Sequence, residues 1–311
     1  MPRFSTLRRL RRLSFIVSSS VCLSVAAFFL LHPGSASSAG GAPDSLLLEQ
    51  SIQVSNANPH QGEPVKICVP APSQAGSGAD STVAAIKFDG KEYKLFPEFN
   101  NGNEIYTAII AIPATMSPGD YEITYGGMSK SIAVHDAHFA TQRLHLPREK
   151  NNFNASPGEK EAMNKAKATV SDLKRWQGAF QKPIASCRLS TRFGLKRIVN
   201  GKYLKDYFHS GLDFAAGEGT AIHACAPGVV ILAHSGWRLH GNCVAIDHGR
   251  GVISIYIHMQ KVKVKEGDSV EAGQIIGNVG HTGRASGPHL HFSVYVNNEA
   301  SNPEFWFRSK F

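Results

Sequence analysis

Five side chains in the second half of the sequence have the types and the spacing of a hydrolytic metal site. His209 and Asp213 lie on either side of a glycine, which lets the chain turn and bring both side chains to one point. His289 and His291 are two residues apart, so in a strand they point to the same face. His258 ends another apolar stretch. Imidazole and carboxylate are the ligands of hydrolytic zinc sites, where three protein ligands leave a fourth position open for water.

Three of these five groups can hold one zinc ion per chain, which leaves two histidines for proton transfer or charge stabilisation. The spacing alone does not decide which of His289 and His291 binds the metal. Alternation along a strand also predicts that Tyr256 and His258 share one face. Other histidines of this region lie in turn-like or strand-edge contexts and are assigned no chemistry: His223, His234, His240, His248 and His281.

The region 183–311 is predicted to be an antiparallel β domain that carries these side chains. Apolar runs at 228–233 and 253–257 are bounded by glycine turns, and helical periodicity is almost absent. None of the glycines has the spacing of a phosphate-binding loop. The basic segment 196–207, just before the first histidine motif, is predicted to be a solvated loop; the alternative is a loop that shapes the substrate groove.

The stretch 191–303 resembles the lysostaphin-type, or LytM-type, zinc metallopeptidases, which are peptidoglycan endopeptidases. Its motifs keep the family's order: TRFG (191–194), HSGLDFAA (209–216), GT (219–220), APGVV (226–230), GN (241–242), IDHG (246–249), YIH (256–258), GQIIG (273–277) and GPHLHF (287–292). The resemblance implies that His209, Asp213 and His291 bind zinc and that His258 and His289 act in catalysis. The chain departs from the family at Ser293, where a glutamate is frequent.

The function implied by the resemblance is zinc-dependent hydrolysis of peptide cross-links in peptidoglycan. The partners are then stem or bridge peptides of the wall, and both Gly-Gly bridges and D-Ala to diaminopimelate links remain open as substrates. Two alternatives are a non-catalytic regulator of cell-wall amidases on the same fold and a wall-binding protein. All five motif residues are present in this chain, which favours the enzyme.

The predicted fold class is all-β, with an immunoglobulin-like sandwich at 45–136 before the metallopeptidase domain. Short alternating segments such as 65–69, 85–88 and 121–125 are separated by Gly, Pro and Asp turns. About seven short strands within about 90 residues are typical of such a sandwich. No catalytic constellation is found in this part of the chain.

A connector at 137–182 is predicted to be irregular up to 155 and then helical. The helix is predicted to begin at Ser156, with Pro157 in its first turn and Glu159 completing a capping box. Its apolar stripe is interpreted as a packing surface made of Met163, Ala166, Val170, Leu173 and Trp176. The upstream region could also cover the groove and reach the open zinc position through His135, Asp136, His138 or His145; the alternative is a spacer or wall-binding domain.

Residues 1–39 are predicted to be an export signal. Five arginines precede an apolar run at 15–31, and small residues follow it. An uncleaved anchor that tethers the protein to the membrane is the alternative. Either reading places the protein in the periplasm or cell envelope rather than the cytosol, and full secretion is a less favoured alternative. The net charge of +9 includes these five arginines, and no nucleic-acid-binding signature accompanies it.

The cysteines outside the export signal are Cys68, Cys187, Cys225 and Cys243. Export permits disulfide bonds between them, but the sequence does not determine a pairing. They also lack the spacing of a structural zinc site. Disulfide formation and burial as small apolar side chains therefore both remain open.

Overall fold

The computed structural model describes residues 51–71, 85–100, 102–145, 154–309 and 311, apart from the side chain of Asp206. The predicted export signal at 1–39 lies outside these residues. None of the described helices is long and apolar enough to cross a membrane.

The strands of the N-terminal part form two antiparallel sheets of four strands each. In chain order they are β1 (Gln53–Val54), β2 (Pro64–Pro70), β3 (Ala85–Phe88), β4 (Lys91–Lys94), β5 (Phe96–Asn100), β6 (Asn103–Ala111), β7 (Gly119–Tyr125) and β8 (Met128–Val134). One sheet has the order β1-β2-β6-β5 and the other β4-β3-β7-β8. Ile67 and Ile110 from the first sheet and Ile86 and Ile123 from the second share one buried core. The predicted β-sandwich is therefore present.

Strand β6 joins this sandwich to the C-terminal region because both of its faces are buried. Ala108 and Ile110 belong to the core of the sandwich. Ile109 and Ala111, which point the opposite way, belong to the core of the C-terminal region. The two parts of the described chain thus pack directly against each other within one compact unit.

A polar contact strengthens the same interface. The guanidinium of Arg250 donates hydrogen bonds to the side chains of Glu98 and Thr107 and to the carbonyl of Pro97. Lys66 also donates to Glu98, at 2.8 Å. Burial opposes ionisation of Glu98, but these cations hold the pKa of its carboxyl below the usual value. The half-buried carboxylate therefore stays charged and paired across the interface.

Most of the C-terminal strands belong to one antiparallel sheet of ten strands. The remaining elements of the described chain are β9 (Thr141–Leu144), α1 (Glu159–Lys167), β10 (Arg188–Thr191), β11 (Lys196–Val199), β12 (Lys202–Phe208), β13 (Leu212–Ala215), β14 (Ala221–His223), β15 (Gly228–Trp237), β16 (Gly241–Gly249), β17 (Val252–Val262), β18 (Ser269–Val270), β19 (Ile275–Val279), β20 (Leu290–Val296), β21 (Glu299–Ser301) and α2 (Pro303–Trp306). The main path of the sheet is β10-β13-β20-β17-β16-β15-β18. This confirms the predicted all-β class and its antiparallel C-terminal domain.

A separate three-stranded sheet has the order β12-β11-β9. Strands β11 and β12 form an antiparallel hairpin, so the prediction of a solvated loop at 196–207 was wrong. Strand β9 lies within the segment predicted to be irregular and pairs with β11 in parallel. Strands β9 and β11 have only four residues each, which is too short for a periodic pattern of apolar residues to be recognised. Their pairing was therefore not predictable from the sequence.

The predicted helix is shorter than its apolar stripe suggested. Helix α1 begins at Glu159 and ends at Lys167, with Gly158 as its N-cap in the left-handed conformation. Ser156 does not cap it with its side chain; instead its backbone N–H donates to the Glu159 carboxylate at 2.7 Å. The β-branched residues Thr169 and Val170 follow the last turn and disfavour its extension.

The residues of the predicted apolar stripe are buried within α1, and most of those beyond its end are exposed. Met163 and Ala166 are buried, as the packing surface requires, whereas Val170 and Leu173 lie beyond the helix and are exposed. Trp176 is buried, but it also lies outside α1. The stripe of five residues is thus not one helical face.

The four cysteines in the described part of the chain are all free thiols. Cys225 and Cys243 are buried, and burial raises the pKa of each thiol to about 12. Cys68 and Cys187 are only half-buried. Among these four, we expect a maleimide at pH 8 to label only Cys68 and Cys187 in the native protein, as measured by peptide mass spectrometry. Labelling of Cys225 or Cys243 without denaturant would contradict the structure.

Candidate metal centre and its cleft

Three of the predicted site residues bring one atom each to a single point. Nε2 of His209 lies 3.0 Å from Oδ1 of Asp213 and 3.0 Å from Nδ1 of His291. The latter two atoms are 2.9 Å apart. Ligand atoms around a tetrahedral zinc ion are about 3.3 Å apart, which follows from zinc–ligand bonds of about 2.0–2.1 Å. Within the described residues, this is the one cluster of three metal-ligand side chains with such separations.

Adjacent strands and a glycine produce this convergence. Asp213 in β13 lies directly opposite His291 in β20. His209 precedes β13 and is separated from it by Gly211, which passes close to the neighbouring strand. A Cβ atom at Gly211 would lie 2.2 Å from the carbonyl oxygen of Phe292. The glycine therefore serves a close approach of the two backbones as well as a change of direction.

Hydrogen bonds on the far side of each imidazole determine which nitrogen carries the proton. Nδ1 of His209 lies 2.8 Å from the carbonyl oxygen of Arg192. Because a carbonyl only accepts, Nδ1 donates and the neutral ring keeps a lone pair on Nε2. Nε2 of His291 lies 2.7 Å from Oγ of Ser293 and can donate to it in the same way. Ser293, where the sequence departs from the family, thus orients the third member of the cluster.

The donor set fits a divalent cation. Burial opposes ionisation of Asp213, yet its close contacts with the rings of His209 and His291 hold the pKa of its carboxyl well below the usual value. Burial lowers the pKa of His291 to about 4, so this ring is neutral at pH 7. Two nitrogen lone pairs and one anionic oxygen then face one another. Such an arrangement is repulsive without a cation between the three atoms and favourable with one.

The other two predicted site histidines lie beside the cluster. The ring centroids of His258 and His289 are 4.9 Å apart, and Nε2 of His289 lies 3.9 Å from Oδ1 of Asp213. Nδ1 of His258 donates to the carbonyl of Thr282 at 2.9 Å, and Nδ1 of His289 donates to that of Gly287 at 2.8 Å. In its neutral form, each ring therefore has an unprotonated Nε2 that can accept a proton. Burial, together with the neighbouring histidines, holds the pKa of His258 well below its usual value.

A bulge in β17 directs His258 into the cleft. Its φ angle is 64°, a left-handed conformation that is uncommon for a non-glycine residue. Val244 in β16 is opposite Tyr256, whereas Asn242 is opposite Met259, so β17 contains an extra residue. Tyr256 is fully buried while His258 lines the cleft. The prediction that both share one face was wrong, because a bulge interrupts the alternation.

The five histidine and aspartate side chains line an open cleft of about 610 Å³. Lys167 of α1, Arg197 of β11 and Arg284 also line it, and Asp213 is the one acid among its described lining residues. The cleft is therefore cationic, which favours anionic ligands. His135, Asp136, His138 and His145, which could have reached an open zinc position, are all exposed and do not line it.

His240, which was assigned no chemistry from the sequence, is also part of the cleft wall. Its Nδ1 donates to the fully buried carboxylate of Glu159 at 2.6 Å. Burial favours the protonated acid, but hydrogen bonds from His240 and Ser156 hold the pKa of Glu159 below the usual value. The carboxylate can then only accept, so neutral His240 has an unprotonated Nε2. No local pattern reveals this pair, because its members are 81 residues apart.

The fold and the site define an all-β protein in which a His–Asp–His cluster of candidate metal ligands lies in a cationic cleft. Residues 207–303, about a third of the chain, match the model of peptidase family M23. The resemblance to lysostaphin-type metallopeptidases is thereby confirmed for this region, and the match supports a metal cofactor.

Curated relatives match part of the chain. DD-carboxypeptidase/endopeptidase Mpg from Neisseria meningitidis is 37% identical over 130 residues, which are 41% of this chain and 29% of that protein. Peptidoglycan DD-endopeptidase ShyA from Vibrio cholerae is 38% identical over 130 residues, which are 40% of this chain and 29% of that protein. The chain thus spans less than a third of the length of these relatives.

A solved structure covers more of the chain. A crystal structure from Pseudomonas aeruginosa assigned to peptidase M23 matches with a TM-score of 0.56 and 26% identity, over 80% of this chain and 95% of that one. A match over 80% of the chain extends well beyond 207–303. The similarity in fold is therefore not limited to the peptidase region.

Proposed function

We propose that this protein is a zinc-dependent endopeptidase that hydrolyses peptide cross-links of peptidoglycan, with one zinc ion per chain. The observation that carries the proposal is the cluster in which His209, Asp213 and His291 point three acceptor atoms at one position in an open cleft. The names of both curated relatives include endopeptidase activity, and the name of the Vibrio protein includes peptidoglycan. Both names specify DD bonds, which favours D-Ala to diaminopimelate links over Gly-Gly bridges as substrate.

The five site residues have two different roles in hydrolysis, which are metal binding and proton transfer. His209, Asp213 and His291 would hold the zinc ion, which lowers the pKa of a bound water from about 15.7 to about 7 and polarises the peptide carbonyl. His258 and His289 present unprotonated Nε2 atoms beside the cluster. They can take the proton of the attacking water, return it to the leaving nitrogen and stabilise the oxyanion.

The substrate implies a location in the cell envelope, where peptidoglycan lies. Export through residues 1–39, and a membrane tether if that segment is not cleaved, remain part of the proposal. The complete set of five site residues gives no support to the alternative of a non-catalytic amidase regulator.

Digestion of purified sacculi tests this function. The purified protein is expected to release soluble peptides and to convert cross-linked muropeptide dimers into monomers with a new free amino group, as measured by liquid chromatography and mass spectrometry. A zinc chelator should abolish the conversion and added Zn²⁺ should restore it, because the nucleophile depends on the metal. Unchanged conversion in the chelator, or products cut only in the glycan strand, would reject the proposal.

A further inference from the structure

Arg197 is held beside the metal cluster by contacts from three different segments. Its Nε donates to Oε1 of Gln142 in β9 at 3.3 Å, and its Nη1 donates to the hydroxyl of Tyr207 in β12 at 3.0 Å. Its Nη2 lies 3.9 Å from Oδ2 of Asp213. The Arg197 side chain is only 13% exposed, so its charge has a fixed position inside the cleft.

These contacts orient the guanidinium without neutralising it through a hydrogen-bonded acid. Gln142 and Tyr207 are uncharged partners, and 3.9 Å to Asp213 is too long for a hydrogen bond. Oδ1 of Asp213 faces His209 and His291. With a divalent ion bound there, the ion, Asp213 and Arg197 together carry two positive charges. A partly buried site of this charge attracts an anionic group of the substrate.

The position of Arg197 indicates where that group would lie. Oδ2 of Asp213 faces Arg197 at 3.9 Å while Oδ1 faces His209 and His291, so the Asp213 carboxylate lies between the guanidinium and the cluster. An anion bound by Arg197 is thus close to the amide that is cleaved. Arginine recognises carboxylates through paired N–H donors that match the two oxygens.

We propose that Arg197 recognises a free carboxylate next to the scissile amide, and that the substrate class is peptides which carry one there. This inference rests on the proposed function. A diaminopimelate cross-link has such a carboxylate on the carbon that bears the cleaved nitrogen, and so does a peptide that ends in D-Ala-D-Ala. An interior Gly-Gly bond has none. The positive charge of Arg197 thus favours cleavage of amides that have a neighbouring carboxylate over interior Gly-Gly bonds.

The chain segment before α1 takes part in this recognition. Gln142 is the direct register partner of Arg197 in the parallel pair β9–β11, and Tyr207 approaches from the other strand of the hairpin. The Arg197 guanidinium also lies 5.5 Å from the centre of the Tyr207 ring. Arg197 and its partner Gln142 therefore lie outside the matched region 207–303.

The test compares kcat and KM on four substrates: cross-linked muropeptide dimers and D-Ala-D-Ala pentapeptides, each with a free carboxylate or a carboxamide next to the scissile bond. For the wild type we expect a preference for the free carboxylate of roughly 10- to 100-fold in kcat/KM. Arg197→Gln should remove most of the preference, mainly by raising KM for the carboxylate substrates. Arg197→Lys, which keeps the charge but not the paired donors, should retain part of it.

Lys202→Gln is the matched control, because it removes one exposed positive charge from the far end of the same hairpin and should leave the preference unchanged. Zinc content and melting temperature are measured for every variant. A preference for the free carboxylate over the carboxamide in the dimer, the pentapeptide or both supports the inference. It also shows whether the recognised carboxylate belongs to diaminopimelate, to a terminal D-Ala or to either.

Three results would overturn the inference: equal cleavage of both forms by the wild type, equal loss on both forms in Arg197→Gln, or loss of zinc from both Arg197 variants. If the wild type cleaves none of the four substrates but still digests sacculi, the inference fails and the proposed function stands; if it cleaves neither, the proposed function itself fails.

Discussion

Replacement of His209 with alanine is expected to remove both the bound zinc and the hydrolytic activity. Nε2 of His209 is 3.0 Å from each of the other two ligand atoms, so its loss leaves only two ligands. Metal ions contribute several kcal/mol to such reactions, and we therefore expect kcat/KM on muropeptide dimers to fall by about 10³-fold or more. Zinc content by mass spectrometry and the rate of dimer cleavage are the two measurements.

His281→Ala is the control for this variant, because His281 is an exposed histidine of the same domain that does not line the cleft. It should retain full zinc content and activity. A His209→Ala protein that is folded, binds one zinc ion per chain and cleaves at the normal rate would remove His209 from the metal centre.

Replacement of His258 is expected to separate metal binding from catalysis. His258 lies beside the cluster but outside the triangle of ligand atoms. His258→Ala should therefore keep its zinc and lose about 10²- to 10⁴-fold in kcat, the usual contribution of a positioned acid or base. Zinc content and single-turnover rates on the dimer measure the two effects.

A second variant excludes backbone strain as the cause. His258 has a left-handed backbone with φ of 64°, which asparagine adopts more readily than alanine. His258→Asn can also preserve the hydrogen bond to the carbonyl of Thr282 through its amide. Both variants should lose turnover to a similar extent. Normal turnover in either one, with zinc retained, would show that the imidazole is not needed.

The sequence could identify the candidate residues, because local motifs and the family resemblance mark them, although the meeting of Asp213 with His291 depends on the pairing of β13 with β20. The H-x-H spacing places His289 and His291 on one face of the chain, and the structure finds both beside Asp213. The sequence also showed the glycine at position 211, which predicts a turn, and the apolar runs, which predict strands. The catalytic and ligand roles of these residues remain predictions that the two variants above test.

The remaining features depend on pairing between distant segments. Gln142 approaches Arg197 only because β9 pairs with β11, and four-residue strands give no periodic signal strong enough to predict this. The bulge at His258 follows from register between β16 and β17, which the sequence of β17 alone does not contain. The contact of Glu159 with His240 likewise joins a helix to a loop far along the chain.

The most direct test is an anomalous difference map at the zinc edge from crystals of the protein grown with Zn²⁺. We expect a single peak about 2.0–2.2 Å from Nε2 of His209, Oδ1 of Asp213 and Nδ1 of His291, with a fourth position open to the cleft. A map without a peak at this point, or with zinc bound by His258 and His289 instead, would contradict the assignment on which the proposed function depends.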